Sequence, residues 1–413
     1  MRKIIALLLL LTANGYSMTI TELQETLKNN NLEIKQSFKN LESVKFQKKA
    51  DIRKFFPILN FQASASRFYP YTTTMGESWE NDFTAGITAT ANIWNFQTKT
   101  KVNIDSVQIK SQQLNIDKTF EDIYLQGISF LIQLKGAEKT IALRKKELEN
   151  AKKIYKVAKS KYDQGLVLIT DVLKARANIE KTKSNLIASE GEKEKIETAL
   201  QNLLNTDKPV TADVKLSNNF TIPSAKELVK EALKKRKELA IQKLKIKTAE
   251  LNIQSVKDTN KPSITASASY FRESSDLSFK NENYNLQLSL NWKIFDSFQT
   301  KYEALSAEKE KEIAEIELKR LENQIKKEVL DSYTDFQISK ANLENAKSYL
   351  EFARKTFERT LNEYELGVSD LVSLLSAYNE YVNAEENYTN NLVNLNIAYY
   401  KLLKSAGMLG GTK

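Results

Sequence analysis

Apolar residues recur every three or four positions over two long stretches of the chain, neither of which contains a proline. This spacing is that of a coiled-coil seam. Each stretch is followed by a glycine and then by a shorter stretch of the same kind. The long stretches span about residues 97–161 and 299–363, and the shorter ones about 170–204 and 371–405. The pattern therefore predicts two long antiparallel helical hairpins with turns at Gly165 and Gly367.

The two halves of the chain share a sequence pattern. Tyr162-Asp163-Gln164-Gly165-Leu166 recurs 202 residues later as Tyr364-Glu365-Leu366-Gly367-Val368. A period this long indicates the duplication of a whole structural half rather than a solenoid repeat. We expect the halves at 18–206 and 224–408, with hairpin tips at 162–171 and 364–373. A polar linker at 207–223 is expected to join them, and a flexible tail at 409–413 to follow.

Four further segments alternate apolar and uncharged polar residues, at about 58–68, 83–93, 263–272 and 284–294. Each has the length of a tilted membrane-spanning strand. A small amphipathic sheet on a soluble core is the alternative, but the narrow helical seams offer no broad apolar face to cover it. Four strands cannot close a barrel and open edges cannot face lipid, so spanning strands require several copies of the chain. The aromatic residues expected at the membrane interfaces are Phe68, Tyr69, Trp94, Tyr270 and Trp292.

The N-terminus has the features of a secretory signal over residues 1–17. Arg2 and Lys3 precede an apolar run that is too short to span a bilayer, and Gly15-Tyr16-Ser17 forms a small-x-small cleavage site. A retained membrane anchor is the alternative. Beyond this segment, no stretch of about 18 apolar residues predicts a transmembrane helix.

Composition excludes most kinds of catalytic site. The chain contains no cysteine and no histidine, the residues that most often serve as nucleophile, general base or metal ligand. It also contains no Gly-rich phosphate loop and no metal-ligand spacing, so we expect neither an enzyme nor a bound cofactor or metal. The formal net charge is +10, but lysine and glutamate interleave along the helices, as in 308–312. Such interleaving is typical of a solvated helix face rather than a nucleic-acid-binding one.

With the tandem repeat, the two strand pairs and the tip motif Tyr162 to Leu173, the mature chain resembles the TolC-type outer membrane efflux proteins. The resemblance implies a mainly α fold with a small β part, in a homotrimer whose strands share one twelve-stranded outer-membrane barrel. It also implies a passive exit duct with a helical tunnel in the periplasm. A periplasmic adaptor protein would connect this duct to an inner-membrane pump or a secretion ATPase. The alternative is a periplasmic coiled-coil scaffold or adaptor protein without a membrane barrel.

The resemblance also implies roles for residues at the tips. A gate link is expected between Tyr364 and Asp171, with Thr170 beside it, although Asp171 could instead simply charge the first turn of its helix. The residues expected to dock the adaptor are Gly165, Leu166, Val167, Leu366, Gly367 and Val368. Alternatively, their apolar side chains pack against neighbouring tips in the closed trimer. At the aperture, the acidic ring of the best-known relative corresponds to Ser373 and Ser376, one turn from Asp370.

The serines at the aperture predict weak selectivity for cations. Without an acidic ring there, multivalent cations should block the current through the channel less strongly than they would with one. Current recordings in a planar bilayer at increasing concentrations of a trivalent cation would measure this block. Strong block of the wild type that persists in Asp370→Ala would contradict the prediction.

Overall fold

The computed structural model describes residues 16–69 and 79–410. The first half contains β1 (Tyr16–Met18), α1 (Ile20–Asn30), α2 (Leu32–Arg53), β2 (Ile58–Phe68), β3 (Glu80–Trp94), α3 (Phe96–Asp163) and α4 (Ile169–Leu204). The second contains β4 (Val210–Ala212), α5 (Ala225–Lys235), α6 (Lys237–Asp258), β5 (Ser263–Ser274), β6 (Asn281–Asn291), α7 (Gln299–Glu365) and α8 (Leu371–Ser405). The mainly α fold with two tandem long hairpins and a small β part is confirmed.

The chain divides into two compact units. One contains the chain up to Gln36, Asp117–Lys237 and the chain from Glu322 onwards, and the other contains Ser37–Ile116 and Glu238–Leu321. Helix α3 has 68 residues, which at 1.5 Å per residue is about 100 Å. None of the helices in the described part of the chain combines the length and the apolar character needed to cross a bilayer.

In the unit that contains both hairpin tips, the main core surrounds helix α1. Leu23 and Leu27 of α1 pack with Leu131 of α3 and Leu200 of α4, and all four side chains are fully buried. A second cluster, nearer the tips, is centred on Tyr364, Leu374 and Tyr378. The amphipathic seams predicted from the three-four spacing therefore pack against each other along this unit.

The helical segment before the first strand of each half is broken into two helices. In the first half α1 is capped by Asn31, whose side chain accepts a hydrogen bond from Ile34 N–H at 3.0 Å and donates one to Leu203 C=O at 2.8 Å. In the second half α5 is capped by Arg236, which donates to Ser405 C=O at 3.2 Å and pairs with Glu328. A long-range polar contact holds each break, so local helix propensity did not reveal it.

The predicted linker and tail also differ from the structure. Residues Val210–Ala212 of the linker form β4, which pairs in parallel with β1, and Val210 and Ala212 are buried. Tyr16 and Ser17, assigned to the signal, lie in β1, whereas residues 1–15 lie outside the described residues. Leu409, assigned to the tail, is buried in the main core, and residues 411–413 lie outside the described residues. Both short segments gain their order from partners far away in sequence.

The other unit contains an antiparallel four-stranded sheet in the order β2-β3-β5-β6. Each β-hairpin joins its own two strands, and β3 pairs with β5 across the repeat boundary. Helix α2 ends just before β2, and α3 begins just after β3; α6 and α7 flank β5 and β6 in the same way. The sheet therefore has one end that connects to helices and one end formed by hairpin turns.

Two aspartates form a buried carboxyl pair near the helix-connected end of this sheet. Asp51 at the end of α2 and Asp105 of α3 lie within hydrogen-bonding reach of each other, and both side chains are buried. Lys54 contacts Asp51 at 2.6 Å and Lys101 contacts Asp105 at 2.9 Å. A hydrogen bond from Lys54 lowers the pKa of Asp51, whereas burial, followed by the neighbouring Asp51, raises the pKa of Asp105. Of the two carboxyl groups, that of Asp105 is therefore the one that is more easily protonated.

The raised pKa of Asp105 predicts a pH-dependent effect of Asp105→Asn on stability. The free energy of unfolding of the wild type falls as pH rises from 3.8, the ordinary pKa of aspartate, through the raised pKa that Asp105 has in the folded protein. Over this range Asp105 ionises more readily in the unfolded chain than in the folded one. Asparagine keeps a donor for Asp51 and does not ionise. We expect the variant to be more stable at pH 8 by on the order of 1 kcal/mol, with the gap closing below pH of about 4.

Thermal unfolding in detergent, followed by circular dichroism at both pH values, measures this gap. Asp117→Asn, at an exposed position of the same helix, is the control and should show no such gap. A gap for Asp105→Asn that is equal at both pH values would contradict the raised pKa of Asp105.

Candidate functional site

Both hairpin tips are closed by the same hydrogen-bonding motif. At the first tip Gly165 N–H bonds to Tyr162 C=O and Leu166 N–H bonds to Lys161 C=O, both at 2.8 Å. At the second, Gly367 N–H bonds to Tyr364 C=O at 3.1 Å, and the next residue bonds to Glu363 C=O at 2.9 Å. This pair of bonds is the Schellman motif, which requires a left-handed residue. Gly165 and Gly367 supply it with φ of 74° and 80°, so the sequence repeat is also a repeat of geometry.

Apolar side chains are exposed at both tips. Leu366 and Val368 of the second tip are 80% and 78% exposed, and Leu166 of the first is also exposed. Val167 is half-buried, so it contributes less of this surface than expected. Leu168 and Ile169, which were not among the predicted docking residues, follow directly and are exposed as well. Two further apolar residues directly after Val167, at the turn into α4, were the signal that could have found them.

Tyr364, predicted as part of a gate link, is deeply buried near the second tip. It is 2% exposed and belongs to the cluster that also contains Ala175 of α4 and Leu374 of α8. Burial raises the pKa of the Tyr364 hydroxyl, and the charge of Asp171 raises it further. The predicted hydrogen bond is not formed here, because within the described part of the chain the hydroxyl has no partner. Asp171 lies in the first turn of α4, whose N-cap Leu168 gives no side-chain bond, and Thr170 is exposed.

A residue that the sequence analysis missed connects the two hairpins. The ammonium group of Lys161, in the last turn of α3, lies 4.2 Å from the centroid of the Tyr364 ring. It also donates a hydrogen bond to the backbone carbonyl of Tyr364, which is one of the acceptors in the second Schellman motif. Lys161 therefore contacts the second tip through both a cation–π interaction and a charged hydrogen bond.

The two tips share geometry but not side-chain environment. Tyr162, the repeat equivalent of Tyr364, is 41% exposed, and the equivalent of Lys161 is Glu363. The contact between hairpins is therefore one-sided: the first tip supplies the cation and the second supplies the ring. No spacing in the sequence distinguishes the two tyrosines, because both occupy the same position of the same motif.

The predicted aperture residues lie on one exposed side of α8. Asp370, Ser373 and Ser376 are exposed, whereas Leu371 and Leu374 between them are buried. Asp370 is the N-cap of α8, and its carboxylate accepts a hydrogen bond from Ser373 N–H at 2.7 Å. That backbone bond holds the pKa of Asp370 below its ordinary value. Its carboxylate is thus partly committed to capping the helix.

The strand register gives the sheet two different faces. One row across the four strands contains Phe61, Ile87, Tyr270 and Tyr284, and the row beside it contains Asn60, Thr88, Ser269 and Asn285. Successive side chains of a strand point to opposite faces, so the apolar and polar rows alternate along the whole sheet. Many apolar side chains of this face are exposed in the single chain, including Leu59, Phe61, Leu286, Leu288 and Leu290.

Four of the predicted girdle residues have positions on or next to the apolar face. Tyr270 lies in it, and Tyr69 and Trp292 continue its alternation just beyond β2 and β6. A register shift between Asn92 and Trp94 places Trp94 opposite Ile264, on the apolar face. Phe68 differs: it pairs with Glu80 and follows the alternation of the polar face. The alternation of Phe61, Ala63 and Ala65 already places position 68 on the polar face, so the assignment of Phe68 to the girdle, based on the aromatic cluster at 68–69, was wrong.

Comparisons with known proteins identify the fold and the family. The outer membrane efflux protein family matches residues 23–206 and 228–408, most of the chain and both halves of the repeat. No curated protein matches the sequence.

Several solved outer membrane channels have a similar fold. The Campylobacter jejuni CmeC outer membrane channel is 19% identical, over 94% of this chain and 86% of that chain, with a TM-score of 0.79. The Vibrio cholerae outer membrane protein VceC is 15% identical, over 94% and 96%, with a TM-score of 0.75. The open state of the Neisseria gonorrhoeae MtrE outer membrane channel is 16% identical, over 94% and 89%, with a TM-score of 0.75. The chain therefore belongs to the outer membrane efflux protein family, as an outer membrane channel whose helical part lies in the periplasm.

Proposed function

We propose that this chain is one of three identical subunits of a passive exit duct. Three copies would contribute twelve strands to one barrel, and the helical hairpins would form a tunnel that docks to a periplasmic adaptor. The adaptor would couple the duct to an inner-membrane pump or a secretion ATPase. The observation that supports this most directly is the two-faced sheet, which has an exposed apolar face and two unpaired edges.

The edges of the sheet argue for assembly. Among the described strands, β2 pairs only with β3 and β6 only with β5, so each has one edge of free backbone groups. Such edges cannot face lipid, because unsatisfied N–H and C=O groups cost several kcal/mol each in hydrocarbon. Pairing β2 of one copy with β6 of the next satisfies both edges. Three copies give the strand number that the resemblance to TolC-type proteins implies.

The tips supply a surface for the adaptor. Leu166, Leu366 and Val368 project from turns whose backbone is fixed by Schellman motifs, so they are presented on rigid supports. Exposed apolar side chains rimmed by charged helices are typical of protein-binding sites. The exposed Leu168 and Ile169 enlarge this surface at the first tip.

The contacts of Tyr364 supply a means of holding the tips together. Lys161 of the first hairpin binds the ring and the carbonyl of Tyr364, and Asp171 is close enough to influence its hydroxyl. In the closed duct we expect Asp171 to accept the hydrogen bond that the hydroxyl lacks here. An adaptor that separates the hairpins would break these contacts together, since all of them join the first hairpin to the second.

Loss of the ammonium group of Lys161 should favour the open duct. Lys161→Met keeps the length and packing of the side chain but removes its charge and its donor. A charged hydrogen bond contributes about 1.5 kcal/mol, so we expect the open fraction to rise roughly tenfold. Single-channel recording in a planar bilayer measures it. Lys159→Met, at an exposed position of the same helix, is the control and should resemble the wild type.

Asp171→Ala tests the other half of the gate in the same recordings. Loss of the acceptor expected for the Tyr364 hydroxyl should also increase the current, by less than tenfold, since the hydroxyl is a neutral donor. Currents equal to the wild type in both variants would leave the duct in place and refute the gate. Absence of current from folded wild-type protein, or its recovery in the soluble fraction without detergent, would refute the duct and favour a scaffold.

A further inference from the structure

Two arginines occupy equivalent positions in the two β-hairpins. Arg272 follows Arg67 by 205 residues, the same offset that separates Pro262 from Pro57 at the starts of the two segments. The register places both on the apolar face, Arg67 after Ala65 on β2 and Arg272 after Tyr270 on β5. The duplicated halves therefore each present one cation on a face that is otherwise almost uncharged.

Aromatic side chains contact both guanidinium groups. That of Arg67 lies 5.3 Å from the ring centroid of Trp79, which is itself 5.5 Å from the ring of Tyr69. That of Arg272 donates a hydrogen bond from Nε to the Tyr270 hydroxyl at 2.7 Å. An aromatic ring beside an arginine fixes the plane of its donors and leaves other N–H groups free to bind a planar or tetrahedral anion.

Arg272 also pairs with Glu282 on the neighbouring strand, and both side chains stay partly exposed. The pair uses Nη2, so it leaves some of the five N–H donors of the guanidinium for another acceptor. The Tyr284 hydroxyl donates a hydrogen bond to the Glu282 carboxylate at 3.1 Å. Arg272 is therefore not the only group that stabilises the negative charge of Glu282.

Most of the charge at this end of the sheet is sorted between the two faces. The acidic residues Glu80, Asp82 and Glu273 follow the alternation of the polar face, whereas Arg67 and Arg272 follow that of the apolar face. The acidic residue on the apolar face is Glu282, which pairs with Arg272 and leaves Arg67 without a carboxylate opposite it in the register. The rim of the apolar face thus has two arginines and one glutamate, an excess of positive charge that complements an anion on the lipid side.

The basic rim lies at the outer end of the sheet. Arg67 and Arg272 are at the end formed by the hairpin turns, away from α2, α3, α6 and α7. Because the helical part lies in the periplasm, the hairpin end is at the external surface of the membrane. Both guanidinium groups lie among the aromatic side chains of this end, beside Trp79 for Arg67 and beside Tyr270 for Arg272, which is the depth of lipid headgroups.

We propose that Arg67 and Arg272 bind the phosphate of an anionic lipid headgroup in the external leaflet. This inference rests on the proposed function, since it requires the apolar face to be embedded in the membrane. With three copies in one barrel, six such arginines surround it, two per subunit. The lipid supplies apolar chains for the exposed leucines and aromatics below, and its phosphate accepts charged hydrogen bonds from the guanidinium donors.

Lipid binding to the detergent-solubilised full-length protein tests the proposal. Native mass spectrometry would follow titrations with phosphatidic acid and with phosphatidylcholine of the same acyl chains. We expect the wild type to prefer phosphatidic acid, and Arg67→Gln/Arg272→Gln to bind it roughly tenfold more weakly with little change for phosphatidylcholine. Arg67→Lys/Arg272→Lys, which keeps the charge, should retain part of the preference and shows whether a loss reflects misfolding.

Lys99→Gln/Lys301→Gln is the matched control. These exposed lysines are also repeat equivalents and lie at the other, helix-connected end of the sheet, so the variant loses the same charge. Equal binding by the wild type and the arginine variant, or an equal loss in the lysine control, would overturn the proposal. So would competition by inorganic phosphate at the same concentration as the lipid, because it would indicate a site for the free anion. A wild type that stays soluble without detergent would instead contradict the proposed function.

Discussion

Backbone groups at the edge of a sheet need partners, and this requirement governs the β part of the molecule. Strands β2 and β6 each leave one edge unpaired among the described residues, and the face between them is apolar and exposed. Water would satisfy the edges but not the face, whereas lipid would satisfy the face but not the edges. Only pairing with further copies of the chain satisfies both. The oligomeric duct that we propose is thus a consequence of hydrogen bonding as much as of apolar burial.

Duplication gives the two halves the same backbone and lets their side chains diverge. Both tips form a Schellman motif at the same glycine, and α1 and α5 both begin with a capping box, from Thr19 to Glu22 and from Ser224 to Glu227. The side chains added to this frame are not equivalent. Tyr364 is buried against Lys161, whereas Tyr162 is exposed, so the frame is repeated while the contact between hairpins occurs once.

The helix ends next to the sheet show the same divergence. Asp51 lies near the end of α2 and Asp258 is the last residue of α6, and each pairs with a lysine three residues later, Lys54 and Lys261. Asp258 accepts hydrogen bonds from Thr100 at 2.5 Å and Gln254 at 2.7 Å, so its charge is well satisfied. Asp51 meets a second carboxyl group instead, that of Asp105. One half therefore has an aspartate that accepts two hydrogen bonds and the other has two neighbouring carboxyl groups, although both aspartates have a lysine three residues later.

The sequence by itself determined the features that depend on neighbouring residues. The three-four spacing predicted the long hairpins, the two-residue alternation predicted the four longer strands, and the glycines predicted the turns, because each follows from backbone geometry and a one-sided distribution of apolar residues. Tertiary structure alone decided the break at Asn31, the pairing of β1 with β4, the burial of Leu409 and the register shift at Trp94. It also decided which tyrosine is buried and that Lys161 binds it. These features depend on contacts between residues far apart in the chain, and such contacts leave no periodic trace in the sequence.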